Sequence, residues 1–470
     1  MLTRIAFRNI LRNRRRSLMT LLAIAVGGTA MILFGEFVAF IKAGLETNAV
    51  QKVGHLTVFR KGYFDYGAGN PGAFGIDHYE DVIRLIQEDR EIQPALNVIT
   101  PTISLTGIAG NFEIDTSKTF MGTGYVPADR ERMRLWDQHG VSRRRVLTDP
   151  GLRQDDETRG VLGIGLARVL GLCERLHIAD CPPRPAAVAA QRAAVAGQRT
   201  VAADLDLPPL TDDLPETGKA RSDAPRIDLL AATASGAPNV MSLYVSSAEP
   251  QGARELDDNI VVMNFSLAQK LLYGRGEHKA TGILVQLHRT DDLGRMRTRL
   301  NELFASNKLE LEVRDFAERE PFYRQAVAMF SAIFLFISLI MAVIVLFTVV
   351  NTMGMSVVER TNEIGTARAM GVRRSGIRRL FVLEGAMLGG FGAIVGVVIG
   401  QIAGVLFNRT GAMWTPPGQA APTPLQVLTS DAGGLLIGAF IALSLIATLA
   451  AVVPANRAAR LEVVDALRHV

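Results

Sequence analysis

The sequence predicts a membrane protein: α-helical, with four transmembrane helices and a large α+β extracytoplasmic domain between spans 1 and 2. Three observations carry this expectation. Four apolar stretches, at 17–41, 326–350, 380–407 and 433–453, are each long enough to cross a bilayer, which takes about 20 helical residues. Arginines crowd the flanks of these stretches and form no basic stripes with interleaved aromatics, a distribution that suits orientation in a membrane and speaks against nucleic acid. Between the first two stretches lies 42–321, which has strand and helix patterns of its own. A chain of 470 residues with 48% hydrophobic content and net charge +5, at mean hydropathy +0.20, fits a few spans joined to an aqueous domain.

Residues 1–16 carry Arg4, Arg8, Arg12, Arg14, Arg15 and Arg16 and no acid. Read as an amphipathic helix on the cytoplasmic side, this stretch sets Arg4, Arg8, Arg12 and Arg15 along one side and Phe7, Ile10 and Leu11 along another. Such a helix lies in the interface with its arginines reaching headgroups. The apolar run 17–41 is too long for a signal peptide and lacks a clean small-x-small cleavage site, so it is expected to remain as a span. Glu36 sits inside it, and an intramembrane acid is a functional candidate by default. Its place within a turn or two of the span end suggests solvation there, at a substrate entrance.

In 42–321 the alternation of β-formers predicts strands at 53–64, 97–108, 226–232, 240–247 and 280–288, with helices near 77–90, 161–172, 264–273 and 291–306. The Ala-, Pro- and Asp-rich stretch 182–225 looks like an insertion. Cys173, His177 and Cys181 are spaced by four. On a continuous helix they would share a face as an incomplete zinc site, and no metal site is assigned. A Cys173–Cys181 disulfide requires that helix to break, because eight helical residues span about 12 Å and a bridge needs Cα atoms within about 7 Å. An oxidising outer compartment makes the disulfide the preferred reading.

Span 2 (326–350) leads into a charged block, 351–379, and then span 3 (380–407). On one continuous helix Val357, Ile364, Ala367 and Met370 share a face, with Glu359, Arg360, Glu363 and Arg374 turned away, and Gly371 stands as a helix stop. A mixed-charge helix held between two spans suits docking in a groove of a soluble partner. Span 3 has glycine at every fourth position, Gly392, Gly396, Gly400 and Gly404, a smooth face for a neighbouring helix. That neighbour is either within this chain or on a second permease chain. Glu384, near the start of the span, is read as a structural or coupling residue. The 408–432 loop has one basic residue, Arg409, and places Met413, Trp414, Pro416 and Pro417 at the outer surface, with Trp414 as an interface anchor. Span 4 (433–453) ends in the tail 454–470 with Arg457, Arg460 and Arg468. Basic residues thus put both termini and the 351–379 block in the cytoplasm and 42–321 and 408–432 outside.

The run MSVVERTNEIGTARAMGVRRSGI at 355–377 resembles the coupling segment of FtsX/MacB-type ABC permeases, the mechanotransmission class that includes lipoprotein-releasing (Lol-type) permeases. Ser356, Val357, Glu359, Arg360, Glu363, Ile364, Gly365, Arg368, Ala369, Met370 and Gly371 carry the resemblance. FRNILRNRRRSLMTLLAI at 7–24, PANRAARLEVVDALRH at 454–469 and Glu384 add to it. The resemblance implies that the 356–371 helix seats in an ABC ATPase and passes its closure to the spans. It further implies a second permease chain, as homodimer or heterodimer, and a place in the inner (cytoplasmic) membrane with the large domain in the periplasm. A lipid-anchored or amphipathic substrate and a periplasmic partner are the remaining expectations, beside membrane lipids. No G-x-x-x-x-G-K-[ST] loop is present, so this sequence cannot cradle ATP phosphates in that manner; no cofactor is assigned to it, and ATP and Mg belong to the expected ATPase. G-x-S-x-G and H-E-x-x-H are absent too, so no catalytic residue is assigned. Lipoprotein or lipid extraction is the first functional expectation. MacB-like efflux of peptides or glycolipids, and FtsX-like signalling to a cell-wall hydrolase, are the rivals.

Overall fold

A computed structural model of the chain describes residues 2–67, 69–141, 151–178, 181, 224–251, 257–274, 276–414, 423–429 and 433–462. Nearly all of the 182–225 insertion, together with Pro416, Pro417, Ala466, Leu467 and Arg468, lies outside them. The described residues form two compact units: one from 1–46, 322–414 and 423–470, the other chiefly from 47–321.

The first unit is helical. α1 (Leu2–Arg12) and α2 (Arg14–Val53) are followed by α3 (Pro321–Glu359), the short α4 (Thr361–Ala369), α5 (Arg374–Arg409) and α6 (Gly433–Arg460). Four of these, α2, α3, α5 and α6, are long and apolar enough to cross a membrane. They overrun the stretches that hydropathy marks, because polar turns continue a helix where lipid no longer demands apolar side chains. At 1.5 Å per residue, the 40 residues of α2 reach about twice the hydrocarbon thickness.

Small residues decide how these helices meet. The glycine stripe of α5 lies along α2: Gly392 faces Ile24, Gly396 faces Ala25 and Gly28, Gly400 faces Ile32 and Gly404 faces Glu36. A Cβ on Gly396 would stand 2.8 Å from the Ala25 carbonyl oxygen, and Thr29 Oγ1 donates to the Gly396 carbonyl at 3.2 Å. Of the two neighbours the stripe could take, the structure uses the one within the chain. A second small-residue seam joins α5 to α6, where Cβ atoms on Gly385 and Gly389 would strike Ala451 and Ala447. In lipid, where burial gives little hydrophobic drive, close van der Waals approach of this kind holds helices together. α3 is different: Val345, Val349, Met353 and Val357 are buried at a four-residue spacing toward its C-terminus, whereas Leu335, Phe336, Leu339 and Phe347 stay exposed.

The second unit is α+β. Nine strands, β1 (Leu56–Arg60), β2 (Leu96–Asn111), β3 (Thr116–Tyr125), β4 (Arg159–Gly163), β5 (Arg226–Ala232), β6 (Pro238–Glu249), β7 (Ile260–Asn264), β8 (Gly282–Leu287) and β9 (Leu311–Asp315), make one sheet in the order β9-β1-β8-β2-β3-β7-β4-β6-β5. β5 also pairs with the second half of β2, so six strands close on themselves while β8, β1 and β9 extend from the first half of β2. Closure removes the free edges that would otherwise invite pairing with other chains. It requires glycine at 107, where a Cβ would lie 2.3 Å from the Leu230 carbonyl oxygen. Leu105, Phe120, Leu162, Leu229, Leu243 and Val261 are buried in the core of this unit, and helices Tyr79–Glu88, Phe265–Tyr273 and Leu293–Ser306 contribute to the same core. All five predicted strand regions carry strands, but β3, β4, β7 and β9 were not foreseen: the end of β4 takes the first three residues of the predicted 161–172 helix, which begins only at Ile164.

Cys173 and Cys181 form a disulfide with Cα atoms 6.2 Å apart. Among the described residues between them no helix is present. The short helix ends at Val169, turns follow, and His177 takes a positive φ of 51°, which brings the two cysteines within reach.

Candidate functional site

The coupling segment becomes a joint because its helix breaks. α3 runs on to Glu359, Arg360 leaves helical geometry (φ −105°, ψ 15°), and α4 begins at Thr361. α4 stops at Ala369, after which Gly371 takes φ 91°, a region open to glycine at little cost. Val357, Ile364 and Ala367 face inward as predicted, and the face changes at two positions. Arg360, expected to point away, is buried; Met370, expected among the inward apolar residues, is 76% exposed.

Arg360 Nη1 donates to both carboxylate oxygens of Glu384 at 3.0 and 3.2 Å, and its Nε donates to Glu363 at 3.1 Å. Its guanidinium lies 5.2 Å from the Phe381 ring centroid. Asn9 Nδ2 on α1 adds a 2.6 Å bond to Glu384, and Arg12 Nη2 reaches both oxygens of Glu363 at 2.5 and 2.7 Å. Arg16 pairs with Glu359. Burial works against ionisation of Glu363, but the bonds from Arg12 and Arg360 outweigh it and hold its carboxyl below the usual carboxylate range. Arg368 Nη1 donates to the carbonyls of Ala459 and Leu461, each at 3.1 Å. These carbonyls close α6, whose last turn lacks intrahelical donors, and an arginine there also complements the helix dipole.

These contacts differ in weight. Arg12–Glu363 and Arg16–Glu359 are about half exposed, and exposed pairs contribute about 0–1 kcal/mol. Arg360 and Glu384 are nearly sealed, with side chains 9% and 5% exposed, so removing either strands a buried charge. Ile364 and Gly365 are buried beneath α4, with Ile364 in one apolar cluster with Ile377, Phe381, Ala455 and Ala458. Ser356 lines a cavity of about 20 Å³ with Asn9, Asn13, Arg16, Ser17 and Glu384, room for one water molecule. The joint therefore ties α4 to α1, α3, α5 and α6, and α2 to the end of α3.

Glu359 pairs with Arg16 of α2 and Glu363 with Arg12 of α1, and both carboxylates stay partly exposed. Two sequence expectations change here. The N-terminal helix is not a free interfacial raft: Ala6 is buried, Asn9 bonds Glu384, and Ile10 packs on the cluster that also holds Phe381. Glu36 lies neither in solvent nor at an opening, since α2 continues past it and the residue is 0% exposed. Gln401 Nε2 donates to one of its oxygens and Leu428 N–H to its backbone carbonyl. Sequence reasoning missed the part played by Asn9, although an amide beside Ile10 on a helix with an apolar side was a signal. It also missed the second seam, although Gly385 and Gly389 repeat the four-residue spacing. Trp414 is half-buried in a two-residue strand, Met413–Trp414, paired with Thr423–Pro424.

A unit of four helices long and apolar enough to cross a membrane, tied at one end around a short charged helix, fits a membrane protein. Residues 335–463 match the FtsX-like permease C-terminal family. A macrolide export ATP-binding/permease protein MacB from a Shewanella species is 36% identical over 119 residues, 25% of this chain and 16% of the relative. Its counterpart from Bordetella avium is 35% identical over 131 residues, 28% of this chain and 18% of the relative. An uncharacterised ABC transporter permease of Methanocaldococcus jannaschii is 26% identical over 227 residues, 46% of this chain and 53% of the relative. The match thus spans under a fifth of the MacB relatives and about half of the archaeal one. Over these residues the chain is similar to ABC transporter permeases of the FtsX/MacB type.

Proposed function

We propose that this chain is the permease subunit of an ABC assembly and transmits the closure of a partner ATPase to its outer domain. One observation carries this reading: at the two ends of α4 three apolar side chains stay at the surface, while Arg360, Glu363 and Arg368 are bonded within the joint. Val358, Met370 and Val372 are exposed, with Asn362, Thr366 and Ala369 between them on the surface. Exposed apolar side chains at both ends of a short helix tied to its neighbours suit a groove on a soluble partner. A push on it moves the spans together, because Arg360, Glu363 and Arg368 leave α4 little independent freedom.

In this reading two permease chains and two ATPases assemble in the inner membrane, ATP and Mg are held by the ATPases, and residues 42–321 face the periplasm. The ATPase is a separate chain. The joint does mechanical work on a lipoprotein or another lipid-anchored molecule in the outer leaflet. Export in the manner of the macrolide export relatives is the second reading, favoured by the identity to MacB over the permease segment.

The test is Val358→Asp combined with Met370→Asp. The double variant is expected to lose its co-purifying ATPase while keeping its own melting temperature. An ATPase retained at wild-type level removes the docking patch. Mass spectrometry of wild-type complexes separates the cargo readings: an acylated protein supports extraction, and a periplasmic adaptor or duct supports export.

A further inference from the structure

Among the arginines at the basic end of the bundle, eight described ones divide into two sets. Arg12, Arg16, Arg360 and Arg368 are engaged by the joint. Arg373, Arg374, Arg378 and Arg379 are exposed, and their side chains make no ion pair or hydrogen bond with any described residue.

Two of the free set stand over a groove. Arg378 and Arg379 line a depression of about 390 Å³ with Val382, Leu383 and Ala386. At 100° per residue these five positions share one face of α5, opposite Ile377, Phe381, Glu384 and Leu388, which are buried in the bundle. The groove is therefore not part of the joint. Its floor is apolar, and the same face continues toward mid-span through Gly390 and Ile394. Nothing lies within 4 Å of where a Gly390 Cβ would stand, and Ile394 is 49% exposed.

We infer that this groove binds one anionic phospholipid, its phosphate between Arg378 and Arg379 and an acyl chain along Leu383, Gly390 and Ile394. Charge complementarity and the order of the lining select this occupant. Guanidinium forks match phosphate oxygens, and basic residues beside a span attract anionic headgroups. The polar-to-apolar gradient along the helix is that of a lipid entering a leaflet. A soluble acidic peptide would satisfy the arginines but leave an apolar floor that runs into the span. The site rests only on the spans crossing a membrane and does not require the ATPase.

The test uses the full chain without partners, in neutral detergent, mixed with phosphatidylglycerol or with phosphatidylcholine of the same acyl chains. Native mass spectrometry counts the retained lipid. One phosphatidylglycerol per chain is expected in preference to phosphatidylcholine. Arg378→Gln with Arg379→Gln should lower its retention about twenty-five-fold, since each basic residue at a membrane surface contributes roughly fivefold. Ala386→Trp, which fills the floor without changing charge, should also lower it, whereas Arg14→Gln with Arg15→Gln should leave it unchanged. Equal retention by the Arg378/Arg379 variant, equal loss in the Arg14/Arg15 variant, or no preference for phosphatidylglycerol overturns the site. Each of these outcomes leaves the docking reading of α4 standing.

Discussion

Glu384 and Glu36 are both acids sealed inside the helical unit, and they are held in contrasting ways. Glu384 receives two bonds from a buried guanidinium and one from Asn9. Glu36 receives one amide, from Gln401, and its Oε2 has no hydrogen-bond partner. A buried carboxylate is costly unless it is paired, so at the basic end the pairing cation is itself a structural part. Through Arg360 the cost of burial becomes a constraint on the elbow between α3 and α4. At the other end the single amide links only α2 to α5, beside Gly404. Ion pairing concentrates where helices must move as one body; where two helices simply pack, small residues and one hydrogen bond suffice.

Three variants probe that contrast. Arg360→Ala should be the most damaging, costing about 3–5 kcal/mol because Glu384 is left charged and unpaired. Thermal unfolding of the purified protein measures it, and adding Glu384→Leu should recover most of the loss. A single variant as mild as a broken surface pair would show that the joint is not held by this contact. Gly396→Leu comes next. Overpacking against the Ala25 backbone should cost about 1–3 kcal/mol by the same measurement, with Gly390→Leu, which faces open space, as its near-neutral control. Glu36→Gln should be the mildest, at less than about 1 kcal/mol, since no cation loses its counterion. A loss in Glu36→Gln as large as in Arg360→Ala would end the distinction between the two acids.

The segment from Arg360 to Gly371 shows what could be read early and what could not. Its motif, its place between apolar runs and its stop at Gly371 were legible, because each is a local property of spacing and residue type. That Arg360 turns inward was not, because the partner that holds it there is Glu384, 24 positions on. The insertion and the 463–470 tail add nothing to this comparison, since they lie outside the described residues.

The same division runs through the molecule. The sequence by itself determined the four apolar helices, the α+β character of 42–321 and the family, since hydropathy, alternation and motifs are written along the chain. Only the tertiary structure decided that the glycine stripe of α5 serves α2, that β2 and β5 close six strands into a ring, and that α1 belongs to the joint. Those outcomes depend on which distant surfaces fit: glycine permits close approach but does not name the neighbour, and a buried charge requires a partner but does not say where the chain will supply one.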